Sequence, residues 1–207
     1  MKTSTASASA SAGKTKLILL ALLFMLPMVL AVGLYTSGWR PGATVNHGEL
    51  LVPARPIAAG AFQTLDGKQT GFSELSRKKW SLVYFGSAEC LKRCEQDLYK
   101  MRQVHLAQGK EADRVQRIFV VTDAKALDLL RYTLKDYPGM IVLTGPEAAV
   151  RALALQFSLP AGSALAGLDR VYLVDPLANL VLHYPPDADA SGMRKDLVRL
   201  LKVSQVG

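Results

Sequence analysis

The hydrophobic and polar positions of the chain form one long apolar run followed by a series of shorter, periodic ones. Residues 17–35 are 19 uncharged, mostly apolar residues. The next segment, residues 36–60, contains three prolines and little periodicity, and from residue 61 β-type runs alternate with helical ones. The pattern predicts a membrane-spanning helix at 17–35, a linker at 36–60 and one folded domain at 61–205.

The folded part begins with residues that alternate around Asp66-Gly67, a dipeptide typical of a tight β-hairpin. Beyond it the patterns predict strands at 80–86, 117–122, 140–143, 171–174 and 180–184, and helices at 90–108, 124–136, 146–157 and 190–203. Strands that alternate with helices favour a mostly parallel central sheet with helices on both faces, here ending in an antiparallel hairpin at its edge. We therefore expect an α/β domain with a thioredoxin-like fold and a mixed sheet.

The charges around the apolar run indicate its orientation. Lys14 and Lys16 lie directly before it, and no acidic residue precedes it. The positive-inside rule then places residues 1–16, a short disordered segment rich in Ser and Ala, in the cytoplasm and the domain across the membrane. A cleaved signal peptide is the alternative, although its apolar region is usually shorter. We expect a single-pass protein of the inner (cytoplasmic) membrane with its domain in the periplasm.

The composition argues against a nucleic-acid partner and draws attention to the two cysteines. The net charge is +8, but basic residues are scattered among acidic ones without a basic, aromatic-rich stripe, so we expect no nucleic-acid partner. Cys90 and Cys94 are the only cysteines of the chain. Outside the cytoplasm a cysteine pair can persist as a disulfide, although one pair does not make a disulfide scaffold.

The cysteine pair follows a predicted strand and begins a predicted helix. The free N–H groups and the dipole at a helix N-terminus stabilise a thiolate, so we expect the Cys90 thiol to have a lowered pKa. Residues four apart on a helix have Cβ atoms about 5–6 Å apart, whereas a disulfide prefers about 3.8 Å. A bridge therefore requires a distorted first turn or a Cys90 outside the helix. Redox exchange, Cu(I) ligation and a structural bridge all remain open.

Several motifs, in their order and spacing, resemble the Sco/SenC family of cytochrome c oxidase assembly proteins. They are the strand Leu82–Gly86 followed by Cys-x-x-x-Cys, the strand 117–123 (RIFVVTD), the segment Leu143-Thr144-Gly145 and the strand 171–176 (VYLVDP). The resemblance covers residues 57–203 and also includes the N-terminal anchor. It implies a membrane-anchored thioredoxin-fold protein that handles copper or thiols, with Cys90 and Cys94 as redox pair and copper ligands.

The chain departs from this family at the third copper ligand. The family has a histidine about five residues before the tyrosine of the last motif, where this chain has Gly167. His183 is the best substitute, because the hairpin should bring it roughly opposite Val171. His105 should lie about 16 Å along the helix from Cys94 and belong to the core boundary, and His47 lies in the linker, where we expect it to be mobile.

These observations predict a Sco-like accessory protein for cytochrome c oxidase assembly that handles copper or cysteine redox state. The cofactor would be Cu(I), and the partner would be a copper-containing oxidase subunit or another assembly factor. We expect a chaperone or assembly factor, with thiol–disulfide reductase activity as the enzymatic possibility. The alternatives are a general membrane-tethered thiol–disulfide oxidoreductase and a non-catalytic thioredoxin-fold interaction module. Asp123, at a strand end, is expected to cap the next helix.

Overall fold

The computed structural model describes residues 7–38, 46–158 and 170–204. Contacts divide the chain after Val45 into two units. The first contains helix α1 (Ser7–Thr36), of which Lys14–Thr36 is long and apolar enough to cross a membrane. Its large apolar side chains are exposed, as a lipid-facing helix requires. The apolar helix predicted at 17–35 is therefore present, but it begins at Ser7, so the expectation of a disordered segment at 1–16 is wrong for residues 7–16.

The second unit contains one sheet built from all the strands that the structure describes. The strands are β1 (Glu49–Pro56), β2 (Ala61–Thr64), β3 (Gln69–Gly71), β4 (Trp80–Ser87), β5 (Val115–Asp123), β6 (Met140–Thr144), β7 (Val171–Val174) and β8 (Asn179–Tyr184). The helices are α2 (Phe72–Ser76), α3 (Lys92–Leu106), α4 (Leu127–Thr133), α5 (Glu147–Phe157) and α6 (Ala190–Val203). Short 3-10 helices occupy Gly109–Arg114 and Leu134–Asp136.

The sheet is mixed, with the order β1-β8-β7-β4-β5-β6-β2-β3. Only the pairs β4–β5 and β5–β6 are parallel among the described strands, so the expectation of a mostly parallel sheet is wrong. The reason is that both hairpins join the central strands antiparallel, β2–β3 through β6 and β7–β8 through β4. The hairpin predicted around Asp66-Gly67 is present.

The second correction concerns the predicted linker, because residues 49–56 of that segment form strand β1. It pairs antiparallel with β8, so that β8 is not an edge strand. Pro53 and Pro56 suggested an irregular segment, yet an edge strand tolerates proline because half of its N–H groups need no partner in the sheet. The linker therefore ends before β1.

The two faces of the sheet carry separate layers of core. Leu82, Tyr84 and Leu182 lie on the side that packs against α3, α4 and α6 and includes both cysteines, which we call the disulfide face. Val83, Phe85 and other alternate residues lie on the opposite face, against α2 and α5. Strand alternation thus places neighbouring residues in different layers. The fold brings the start of α3 to the carboxyl end of β4.

Candidate redox site

Cys90 lies in the short connection between β4 and α3. Its N–H donates to the carbonyl of Ser87 at 3.2 Å, and the N–H of Ala88 donates to the carbonyl of Asp123 at 2.8 Å. These bonds fix the connection to the ends of two parallel strands. Cys90 has a φ of +41°, in the left-handed region that non-glycine residues rarely adopt. The residue is therefore outside the helix, which begins at Lys92.

Cys90 and Cys94 are joined in a disulfide, with their Cα atoms 5.1 Å apart. Of the geometries that the spacing permitted, the structure has Cys90 before the helix and Cys94 in its first turn. Their exposed fractions are only 3% and 6%, and both contact the core of the disulfide face. Leu91 between them is 71% exposed. A reaction partner would therefore meet Leu91 before it reaches either sulfur.

A buried carboxylate lies one turn after Cys94. Asp97 accepts from Arg93 Nε at 3.0 Å and from Lys100 Nζ at 3.3 Å. Burial raises the pKa of Asp97, while the charges of Arg93 and Lys100 oppose that rise. Both cations also donate to the carbonyl of Pro186, in the loop before α6. The charge of Arg93 is therefore engaged within α3 and this loop, and Lys92 is the exposed cation between the cysteines.

The structure does not bring His183 to the cysteines. Leu182 and Tyr184 lie on the disulfide face, so His183 between them points to the opposite face. Its ring lies 6.5 Å from that of Tyr172, the residue paired with it across β7–β8. Its Nε2 is 3.3 Å from Glu49 Oε2. The expectation that His183 completes a ligand set with Cys90 and Cys94 is wrong in this geometry.

The other two histidines also lie apart from the disulfide. His47, expected in a mobile linker, is bound to the domain: its Nδ1 is 3.1 Å from the carboxylate of Asp196 in α6, and its backbone N–H donates to the same group. His105 is part-buried in α3, as expected, and burial, together with the charge of Arg117, lowers its pKa. The position of Gly167 lies outside the described residues.

Among the residues that the structure describes, the two sulfurs are the soft donors that copper could meet at this site. Among the described residues no group of three or more His, Cys, Asp and Glu side chains gathers in a way that could hold a metal ion. The remaining residues contribute no histidine or cysteine in sequence. A closed disulfide offers no thiolate, whereas reduction would supply two soft ligands, the donor type that Cu(I) prefers. The donor set fits Cu(I) in the reduced state, and the described part of the chain adds no third ligand to it.

A cavity of about 650 Å³ lies beside the cysteine connection. It occupies the carboxyl ends of β4, β5 and β6 and reaches the start of α5, with Ser87, Asp123 and Lys125 in its wall. Asp123 does not cap a helix, since α4 begins only at Leu127. Instead it accepts from the N–H of Lys125 at 3.1 Å. Sequence reasoning missed this cavity, although the carboxyl edge of parallel strands is where ligands usually bind.

Comparison with known proteins agrees with this architecture. A family model described as transmembrane-like, thioredoxin-like, C-terminal domain matches residues 80–204, more than half of the chain. The mitochondrial protein SCO2 homolog of Mus musculus is 29% identical over 125 residues, 58% of this chain and 49% of the relative. The corresponding protein of Danio rerio is 28% identical over 127 residues, which are 58% of this chain and 45% of the relative. The chain spans about half the length of these curated relatives.

Solved structures with the same fold include copper-bound yeast Sco1, with a TM-score of 0.61, 19% identity and coverage of 72% of this chain and 90% of that chain. Copper-bound ScoI of Bradyrhizobium japonicum has a TM-score of 0.56 and 20% identity, with coverage of 70% of this chain and 98% of that chain. A putative protein disulfide isomerase from Bacteroides thetaiotaomicron has a TM-score of 0.56 and 18% identity, with coverage of 75% of this chain and 94% of that chain. Identities this low establish the thioredoxin-like fold alone. The chain belongs to the transmembrane-like, thioredoxin-like C-terminal domain family, and the resemblance to the Sco proteins that its motifs predicted is confirmed.

Proposed function

We propose that this chain is a membrane-anchored, Sco-like accessory protein of cytochrome c oxidase assembly that controls the redox state of client cysteines through Cys90 and Cys94. The observation that carries the proposal is the disulfide at the start of α3, without a third metal ligand among the described residues. The client would be a copper-containing oxidase subunit, whose cysteines must be reduced before they bind copper. The location would be the inner membrane, with the domain in the periplasm.

The exchange proceeds from the reduced dithiol. The Cys90 thiolate attacks one sulfur of a client disulfide, forms a mixed disulfide and expels the other client sulfur as a thiolate. The Cys94 thiolate then attacks the Cys90 sulfur, which closes the intramolecular disulfide and releases the second client thiolate. Two electrons pass to the client, and an external dithiol of the same compartment must return two electrons to Cys90 and Cys94.

The surroundings of the pair favour this chemistry. The N-terminal N–H groups of α3 and the exposed Lys92 stabilise thiolates, while Glu89 and Glu95 oppose them. Because both sulfurs are buried, Cys90 and Leu91 must move outward before a client sulfur can approach in line. The left-handed conformation of Cys90 costs a non-glycine residue about 1–2 kcal/mol. A motion that lets Cys90 leave this conformation recovers that cost, which favours the motion.

Copper delivery is the second candidate, and the proximity of the two sulfurs favours it. Two thiolates can hold one Cu(I) linearly, with copper as cargo rather than as a resident cofactor. Copper-bound structures of yeast Sco1 and B. japonicum ScoI share the fold. A general thiol oxidoreductase or a non-catalytic interaction module would use the same fold with a different set of partners.

A trapping experiment on the full chain in its membrane tests the proposal. Cys94→Ser leaves Cys90 without its resolving partner, so a mixed disulfide with the oxidase subunit should accumulate and disappear on reduction. Cys90→Ser should trap much less, and the double variant serves as the control. The proposal fails if neither single variant traps the subunit and the double variant assembles oxidase with full copper content. Trapping of many unrelated proteins would identify a general oxidoreductase.

A further inference from the structure

Arg117 is a buried arginine with most of its hydrogen-bond donors unused. It lies in β5 between Leu82 of β4 and Met140 of β6, and only 4% of it is exposed. Its Nη2 donates to the carbonyl of Pro138 at 2.5 Å. Its Nε and Nη1 atoms, which carry three of the five guanidinium N–H donors, are buried without a partner. No carboxylate pairs with Arg117 among the described residues.

Two further cationic or donor groups approach this guanidinium from α3. Arg102 and His105 are three residues apart on that helix and therefore share one of its faces. Burial lowers the pKa of Arg117, and the positive charge of Arg102 lowers it further, as expected for a like charge on the helix that packs over this face of the sheet. Arg102 is part-exposed and, within the described part of the chain, forms no ion pair. The exposed Asp113 is near His105 but makes no ion pair with Arg117.

The positive charge of the Arg117 guanidinium is buried and has no counter-charge among the described residues. Arginine stays protonated in proteins, so Arg117 cannot relieve its burial by losing a proton. An unpaired buried charge costs several kcal/mol, and the usual solution is a counter-charge with hydrogen bonds. Gly139 lies against the bonded end of this guanidinium, since a Cβ atom there would lie 3.3 Å from Arg117 Nη2 and would crowd it.

We propose that Arg117, Arg102 and His105 form a binding site for a small inorganic oxyanion of the phosphate or sulfate type. Arg117 supplies the buried donors, and part-exposed Arg102 supplies charge at the entrance. An oxyanion satisfies the unused guanidinium N–H groups and separates the two arginine charges. The site lies two to three turns along α3 from Cys94, so it is independent of the disulfide and of the proposed function.

The test measures thermal unfolding of the full chain in a nonionic detergent. Trp39→Phe leaves buried Trp80 as the sole tryptophan reporter. Phosphate is titrated up to 10 mM against chloride at constant ionic strength, a range in which general salt effects on the folded state are small. The unfolding midpoint should rise by about 3 °C when phosphate reaches tenfold its dissociation constant. Arg117→Met should abolish the shift.

The control is Arg131→Met, which removes an exposed arginine of α4 and should keep the shift. If Arg117→Met does not fold, Arg102→Gln, which changes a part-exposed residue, should reduce the shift at least by half. Equal unfolding midpoints in phosphate and chloride would show that no phosphate binds to the donors of Arg117, and would overturn the proposal. A shift that persists unchanged in Arg102→Gln and Arg117→Met would overturn it as well, because the anion would then bind elsewhere.

Discussion

Replacement of Asp196 should detach the beginning of the domain from its last helix. Asp196 lies in α6 and is 3% exposed. Its carboxylate accepts from the backbone N–H groups of His47 at 2.8 Å and Gly48 at 2.9 Å, and from His47 Nδ1 at 3.1 Å. These contacts hold the residues that lead into β1. Asp196→Ala removes the acceptor and leaves the buried N–H of Gly48 without one.

The magnitude follows from the groups left behind. A buried donor that loses its partner costs about 1–3 kcal/mol, and bonds to a charged acceptor lie at the upper end. With one buried and one part-buried backbone N–H affected, Asp196→Ala should lower the free energy of unfolding by about 3 kcal/mol. Asp196→Asn retains one acceptor oxygen and should cost about half as much. A surface replacement typically changes this free energy by less than about 0.5 kcal/mol.

Urea unfolding of the full chain in nonionic detergent, followed by Trp80 fluorescence in the Trp39→Phe background, measures these differences. Trp80 reports directly because it lies in the core layer against which α6 packs. Asp187→Asn is the matched control, since Asp187 is exposed in the loop before α6 and loses the same charge. If Asp196→Ala unfolds within 0.5 kcal/mol of the control, as expected for an ordinary surface replacement, Asp196 does not hold residues 47–48 in solution.

Further predictions concern packing, pH and metal binding. Gly192→Ala should cost about 1–3 kcal/mol in the same assay, because its Cβ would lie 2.8 Å from that of His47. Burial lowers the pKa of His183 below 6.5, so the folded state binds fewer protons than the unfolded one, and stability should fall as the pH decreases from 6.5. In His183→Gln this pH dependence should weaken. The reduced chain should take one Cu(I) from a competing chelator, Cys90→Ala or Cys94→Ala should abolish uptake, and His183→Ala should leave affinity unchanged.

Each of these predictions has its own control and contrary result. Ser191→Ala, at an exposed neighbouring position of α6, is the control for Gly192→Ala and should change the free energy of unfolding little. An equal loss of this free energy in Ser191→Ala and Gly192→Ala would contradict the packing argument. His105→Gln should flatten the pH dependence separately, because burial lowers the pKa of His105 as well. An identical pH profile in wild type and His183→Gln would contradict the linkage. A tenfold loss of Cu(I) affinity in His183→Ala would return that residue to the site.

The pattern of the sequence was sufficient where one rule governed a whole element. Asp66-Gly67 specifies a tight turn, and β2 and β3 pair around it. The apolar runs at 80–86 and 117–122 become β4 and β5, and the stripe at 190–203 becomes α6 with the same bounds. The Cys-x-x-x-Cys spacing also indicated that a disulfide requires either a distorted first turn or a Cys90 outside the helix, and the structure has the second.

Long-range contacts were not predictable in this way. Nothing in residues 49–56 alone shows that β8 lies beside them, and Pro53 and Pro56 are as compatible with a linker as with an edge strand. Asp196 did leave a signal, because it lies three residues after Met193 and thus on the apolar stripe of α6. A charged residue on such a stripe requires a buried partner, but the sequence does not say that the partner is His47 and Gly48.

His183 shows why a small error in register changes a chemical conclusion. The sequence placed it roughly opposite Val171, yet Val171 pairs with Tyr184, and His183 pairs with Tyr172. Because side chains alternate across a strand, a shift of one residue exchanges the two faces of the sheet. The face with the cysteines therefore receives the Tyr184 ring, whose hydroxyl has a pKa raised by burial and is no ligand for Cu(I) at neutral pH. Whatever these two sulfurs do with copper, they must do it without a histidine from β8.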